Sequence, residues 1–182
     1  MRTSAARDRL LATASRVFYH RGIHAVAVDE VITAAEVSRA TFYRYFPGKE
    51  DLVRAYLVAH DLDVRAHVAE AVDRAADPRA ALVAVVTGLG EDLCDGRFRG
   101  CPFINAAAEY PDPEHPVRKV VTAHRAWLLD TITALLAESG STDPTAEART
   151  LVMLRDGALV GGYLDDPVSA LTTLSRAVGA YT

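Results

Sequence analysis

Along nearly the whole chain, apolar side chains recur every three to four positions, the period of an α-helix with one buried face. Residues 4–20 put Ala6, Leu10, Ala14, Val17 and Phe18 on one side and stop at Arg21-Gly22. Two short segments follow. Residues 28–35 turn Val28, Val31, Ile32 and Ala35 inward, and residues 39–46 end at Pro47-Gly48. A long helix is predicted from about Lys49 to Ala75, striped by Leu52, Ala55, Ala59, Leu62, Ala66, Ala69 and Val72. Asp77-Pro78, Asp143-Pro144 and Asp166-Pro167 each join an N-cap acceptor to a proline at the first helical position, where its missing N–H is not needed. They open helices over 78–94, 144–164 and 168–181, and His115-Pro116 opens one over 116–138 with a poorer cap. No alternating β-branched run bounded by hairpin turns occurs, so the pattern predicts nine helices and no sheet.

Composition narrows the class. Half of the 182 residues are hydrophobic and 24% are charged, which excludes a disordered polymer. No apolar run reaches the roughly 18–20 residues of a membrane span. The first residues lack a signal-peptide pattern, so a cytoplasmic protein with no membrane partner is expected. The two cysteines, Cys94 and Cys101, lack CxxC spacing and form neither a disulfide scaffold nor a zinc finger. His60 and His67 lie seven apart without nearby ligands, so no metal is expected. The net charge of −4 argues against nucleic acid only until it is divided. Residues 1–54 hold nine basic and six acidic side chains, net +3, and residues 55–182 carry −7. A positive module on an acidic body suits one end meeting phosphate.

That positive stretch contains a helix-turn-helix pattern over residues 28–46, with Glu36-Val37 between the helices and Ser38 where the second needs an N-cap. Phe42 and Phe46, four apart, face inward, while Arg39 with Tyr43 and Ala40 with Arg44 fall on the opposite side. Such a face can enter a major groove: Arg can bond guanine through two hydrogen bonds, and Ala allows close approach or contact with a thymine methyl. Ser38, Thr41, Tyr43 and the first amides can hold phosphate, with Lys49 as a further contact. The plainer alternative is a helical hairpin with a solvated polar face. Spacing, cap, sidedness and local charge together favour DNA.

At these residues the chain resembles the tetracycline-repressor-like (TetR/AcrR) family of bacterial regulators. The resemblance runs through Leu10-Leu11-Ala12-Thr13-Ala14, Val17-Phe18 and Arg21-Gly22, then Ala34-Ala35-x-Val37-Ser38-x-x-Thr41-Phe42-Tyr43-x-Tyr45-Phe46 and Lys49-Glu50-Asp51-Leu52. The stretch from Gly100 to Tyr110 also resembles the sixth helix of some members. It implies an all-α, nine-helix architecture, with a helix-turn-helix DNA-binding domain over 1–47 and a ligand-binding and dimerisation domain over 48–182. It also implies a homodimer bound to near-palindromic operator DNA and released by a small-molecule inducer. Carried over by position, Arg39, Ala40 and Arg44 are candidates for base contact, and Ser38, Thr41, Tyr43 and Lys49 for backbone contact. Three positions depart from the family pattern. Glu36 stands where glycine is usual, and Val26-Ala27 where Thr or Ser caps the helix, weakening that cap by about 1 kcal/mol. Asp29 stands where a basic or polar residue is common.

In the second domain, residues 116–138 align Val117, Val121, His124, Leu128, Ile132 and Leu135, with Trp127 beside them. A histidine on such a stripe is more often a core side chain than a ligand contact. For an apolar pocket with a few polar groups, the candidates are Asn105, Tyr110 and His124, with Phe103, Trp127 and Met153. Gly157, Gly161 and Gly162 weaken the helix over 144–164 by about 1 kcal/mol each relative to Ala, which close approach by a partner helix would explain. They mark the expected dimer interface. Cys94 and Cys101, near Arg97 and Arg99, also allow a thiol-based redox or electrophile sensor centred on Cys101. A helical ligand-binding protein with weakened DNA binding is a further alternative, suggested by Glu36 and Asp29. An enzyme is disfavoured: there is no phosphate loop, nucleophile elbow, HExxH or compelling carboxylate pair, and no cofactor is expected.

Overall fold

The computed structural model describes residues 4–88 and 98–181. Among the described residues there are nine α-helices and no strand: α1 Ala5–Arg21, α2 Val28–Ala34, α3 Arg39–Tyr45, α4 Lys49–Arg74, α5 Pro78–Thr87, α6 Pro102–Glu109, α7 Pro116–Glu138, α8 Pro144–Leu164 and α9 Pro167–Gly179. The predicted helices are found within a few residues of their expected ends. Helix α5 was expected to reach Cys94. It is helical to Thr87 with Gly88 in a turn, and the rest of that segment, with Cys94, lies outside the described residues.

The Asp-Pro starts act as expected. Asp77 accepts from Ala80 N at 2.8 Å, Asp143 from Ala146 N at 3.2 Å, and Asp166 from both Val168 N and Ser169 N. The start of α7 is handled differently, since His115 Nδ1 accepts from Val117 N at 3.2 Å.

The chain forms two compact units. The first comprises 1–61 with 102–121, and the second 62–101 with 122–182. In the first, Leu10, Ala14 and Phe18 of α1 are buried along with Val31 and Ile32 of α2, Phe42 of α3 and Leu52, Val53, Tyr56 and Leu57 of α4. Phe18 and Tyr56 stack at a tilt, 6.1 Å between ring centres.

The turn after α1 is fixed by a residue far away in sequence. Gly22 takes φ +87°, and a Cβ there would sit 3.5 Å from Glu109 Oε1. Two oxygens of that carboxylate receive the next two amides, Ile23 N at 2.7 Å and His24 N at 2.5 Å, across 86 and 85 residues. Tyr110, the next residue, lies between the rings of His24 and His115, at 5.0 and 4.6 Å.

The second unit has its own core, in which Leu82, Val85 and Val86 of α5 cluster with Leu128, Ile132 and Leu136 of α7, Leu151 of α8, and Leu174 and Val178 of α9.

Glu109→Ala removes the acceptor for two amides, and hydrogen bonds to a charged acceptor are worth more than neutral ones. The expected loss is about 2 kcal/mol of unfolding free energy, read by urea denaturation. Amide exchange at Ile23 and His24 should accelerate well beyond that of the α1 interior.

Candidate functional site

The site is built on α2, the turn and α3. Helix α3 begins as its sequence requires: Ser38 Oγ accepts from Thr41 N at 3.1 Å, and its hydroxyl meets Thr41 Oγ1 at 2.9 Å. Helix α2 begins with Ala27, which has no side-chain acceptor. Glu30 partly replaces that cap, because Oε1 accepts from Ala27 N at 3.0 Å while Oε2 pairs with Arg21 at 2.6 Å. These bonds to the Ala27 amide and Arg21 hold the Glu30 carboxyl below its ordinary pKa. The capping defect expected at 26–27 is therefore only half realised.

Between the helices, Glu36 has φ +53°, the one non-glycine residue with positive φ among the described residues. A side chain with a Cβ is strained in that left-handed conformation, which suits glycine.

Phe42 is fully buried and Phe46 nearly so, and this sets the orientation of α3. Arg39, Ala40, Tyr43 and Arg44 are exposed together, Tyr43 at 49%. Arg39 is not loose on that surface. Its Nη2 donates to both oxygens of Asp29, at 2.5 and 2.6 Å, and this carboxylate raises the guanidinium's already high pKa. Arg44 folds over the Tyr45 ring at 4.9 Å, with Nη2 3.3 Å from its hydroxyl. Lys49 reaches back to the His24 carbonyl at 3.5 Å, and partial burial lowers its pKa. Of the seven residues singled out from the sequence, six sit on or at the start of α3, and Lys49 opens α4 behind the loop.

The residues considered for an effector pocket fall into both units. In the first, Phe103 is buried with its ring 5.5 Å from His60, Tyr110 is buried between two histidines, and Asn105 is exposed. In the second, His124 is buried with its ring 5.7 Å from that of Trp127, and Arg65 covers Trp127 at 4.5 Å. Met153 is 66% exposed, so it is not a core side chain. It lines a groove of about 570 Å³ between α8 and α9, together with Gly157, Gly161, Ala170 and Thr173. A Cβ on Gly157 would meet nothing within 4 Å, and one on Gly161 only Ala170 at 3.9 Å, whereas Gly162 is buried. No close approach among the described residues accounts for Gly157 or Gly161.

Three functional-looking residues escaped the sequence reading: Arg125, Arg155 and Asp156. Arg155 lies on the buried stripe of α8, four residues from both Leu151 and Leu159. A charged side chain at an apolar position was the available signal. Among the described residues no group of three His, Cys, Asp or Glu could hold a metal ion, and no helix is long and apolar enough to cross a membrane.

Comparison with known proteins fits this geometry. The family described as "Bacterial regulatory proteins, tetR family" matches residues 10–56. A TetR-family transcriptional regulator from Streptomyces coelicolor, solved by crystallography, is 47% identical. It superposes with a TM-score of 0.94 over 98% of this chain and 95% of its own. The chain belongs to the TetR family of transcriptional regulators. An HTH-type transcriptional regulator of Mycobacterium tuberculosis is 29% identical over 87% of this chain and 82% of its own length. The TetR structure from Rhodobacter sphaeroides shares the fold, with a TM-score of 0.85 at 24% identity, covering 98% of this chain and 99% of that one. As a TetR-family protein the chain is a DNA-binding transcription factor and not an enzyme.

The turn of this TetR-family protein carries removable strain. Glu36→Gly should raise unfolding stability by about 1 kcal/mol, the cost of a Cβ in the left-handed region. Glu36→Ala, which keeps the Cβ, should give no such gain in the same denaturation experiment.

Proposed function

We propose that this regulator is a homodimeric repressor that reads a near-palindromic operator through residues 1–47. In this reading, residues 48–182 bind a small-molecule effector and carry the dimer contact. The observation that carries it is the exposed α3 face, where Arg39, Ala40, Tyr43 and Arg44 stand together with no carboxylate on the helix itself.

Arg39, Ala40 and Arg44 meet bases, and Ser38, Thr41, Tyr43 and Lys49 hold the backbone. Asp29 has a part in this reading. By occupying Nη2 of Arg39 it restricts the fork to one orientation, so the remaining donors approach a base edge already aimed. The carboxylate then repels phosphate wherever the matching base is missing.

Two observations support a symmetric dimer. The α8–α9 groove is open at Gly157 and Gly161, and Met153, Val160, Leu164 and Val168 are exposed apolar side chains on the same two helices. Two copies place two reading helices on successive turns of one DNA face. The effector favours the conformation that DNA does not. By reciprocity, operator must weaken effector binding by the same factor.

A mobility-shift titration with DNA from upstream of the gene should show specific retardation that weakens steeply with salt. Arg44→Ala should cost about 1–3 kcal/mol of specific binding while the thermal midpoint stays put. Retardation equal on random DNA would refute the reading. Asp29→Ala should separate affinity from selectivity, with binding to random DNA rising several-fold and discrimination falling. A uniform fall in both would show that Asp29 only supports the fold.

A further inference from the structure

Among the described residues, the second unit buries a positive charge that no acidic group of its own fully balances. Arg155 is 5% exposed on the apolar stripe of α8, between turns carrying Leu151, Val152 and Leu159. Among the described residues the one carboxylate near its guanidinium is Asp156, with Oδ1 3.5 Å from Nη1, too far for a good hydrogen bond. Asp156 is already committed: its Oδ2 accepts from Arg125 Nη2 at 2.7 Å, and its buried Oδ1 has no hydrogen-bond partner. Two guanidiniums therefore share one carboxylate. Burial pulls the pKa of Arg155 down, yet a guanidinium stays protonated at any working pH. A buried charge whose nearest counter-charge is already engaged elsewhere is costly for a fold to retain.

We propose that this charge is the recognition element for the effector, and that the effector is an organic monocarboxylate with an apolar body. The inference deepens the effector-controlled reading above and rests on it. The planar fork of Arg155 matches a carboxylate through two parallel hydrogen bonds. One excess positive charge is balanced by a monoanion, whereas a phosphate dianion would leave a buried negative charge. Leu151, Val152 and Leu159, buried along the same helix, make the surroundings of Arg155 apolar, which matches an apolar body. Asp156 and Arg125 hold the site together when empty, and Asp156 Oδ1 is placed to accept a hydroxyl from a hydroxylated ligand. Cys101 is the competing partner: it is buried, and a thiolate formed there would attract Arg155 and Arg125. Balance by the thiolate would make the site self-contained, so the test must separate the two.

The thermal midpoint of the full chain is followed with octanoate and benzoate, and with octanamide and benzamide as uncharged matches. The acids should raise it saturably, by about 5–10 °C at a hundredfold excess over Kd, and the amides should not. Arg155→Met should raise the midpoint of the unliganded protein and abolish the response to acids. Arg155→Lys, which keeps the charge but loses the fork, should keep a weakened response. Three results would overturn the proposal. One is equal response, or none, to acids and amides. Another is a lower midpoint in Arg155→Met, as loss of a satisfied ion pair would give. The third is alkylation of Cys101 by iodoacetamide at pH 6 that depends on Arg155. Failure of the regulator reading is separable, because a wild-type chain that retards no DNA would still show the acid-specific stabilisation.

Discussion

Burial of Phe42 beneath α1 and α2 is the contact on which the exposed face of α3 depends. Helices α2 and α3 are seven residues each, well below the length at which an isolated helix is stable in water. Their backbone order comes from burying Val31, Ile32 and Phe42 with Leu10, Ala14 and Phe18 of the 17-residue α1. The same burial sets rotation. With Phe42 at zero exposure, helical geometry leaves Arg39, Ala40, Tyr43 and Arg44 on the outside. Chemistry on one side of α3 is thus fixed by packing on the other.

How much of this was legible in the sequence followed from how local each determinant is. The Asp-Pro starts, the Ser38 cap and the Phe42/Phe46 spacing act within four residues, and each was read correctly. Glu36 was marked as a departure because glycine is usual there, and its positive φ gives the physical reason. Asp29 was recognised only as an unfavourable charge. Its partner Arg39 lies ten residues away across a turn, a pairing that helical periodicity does not encode. Glu109 was not singled out at all, since the amides it holds are about 85 residues upstream. Arg155 was hidden differently: it occupies a core position by spacing and a surface position by residue type, and sequence alone does not decide which prevails. The candidate pocket residues come from three helical stretches and rest on residue type alone. Their scatter over both units, with Asn105 and Met153 exposed, reflects how little such choice says about long-range placement.

Charge acts at three different scales. Across the chain, +3 over residues 1–54 and −7 beyond concentrate attraction for phosphate at one end. Within the helix-turn-helix, Asp29 and Glu30 spend negative charge on Arg39 and Arg21, fixing side chains and a helix start. Inside the second unit, Arg155 is buried beside an Asp156 that the more exposed Arg125 already engages. Exposed pairs of the second kind add little stability, so their value lies in orientation. Buried imbalance is costly to retain, which makes it informative about what else occupies the site.

The carboxylate of Glu109 also bears on how the molecule can be dissected. The compact unit that holds the helix-turn-helix is discontinuous: it takes in residues 102–121 as well as 1–61, and Glu109 closes it by satisfying amides in the first part. A fragment ending after α4 would leave those two amides to water and take away the Phe103 ring that packs on His60 of α4. A chimera made by exchanging a contiguous N-terminal segment would therefore cut through this unit. Here a graft would have to carry α6 with it, or supply an acidic side chain at the equivalent point of the host, for the head to keep its native turn.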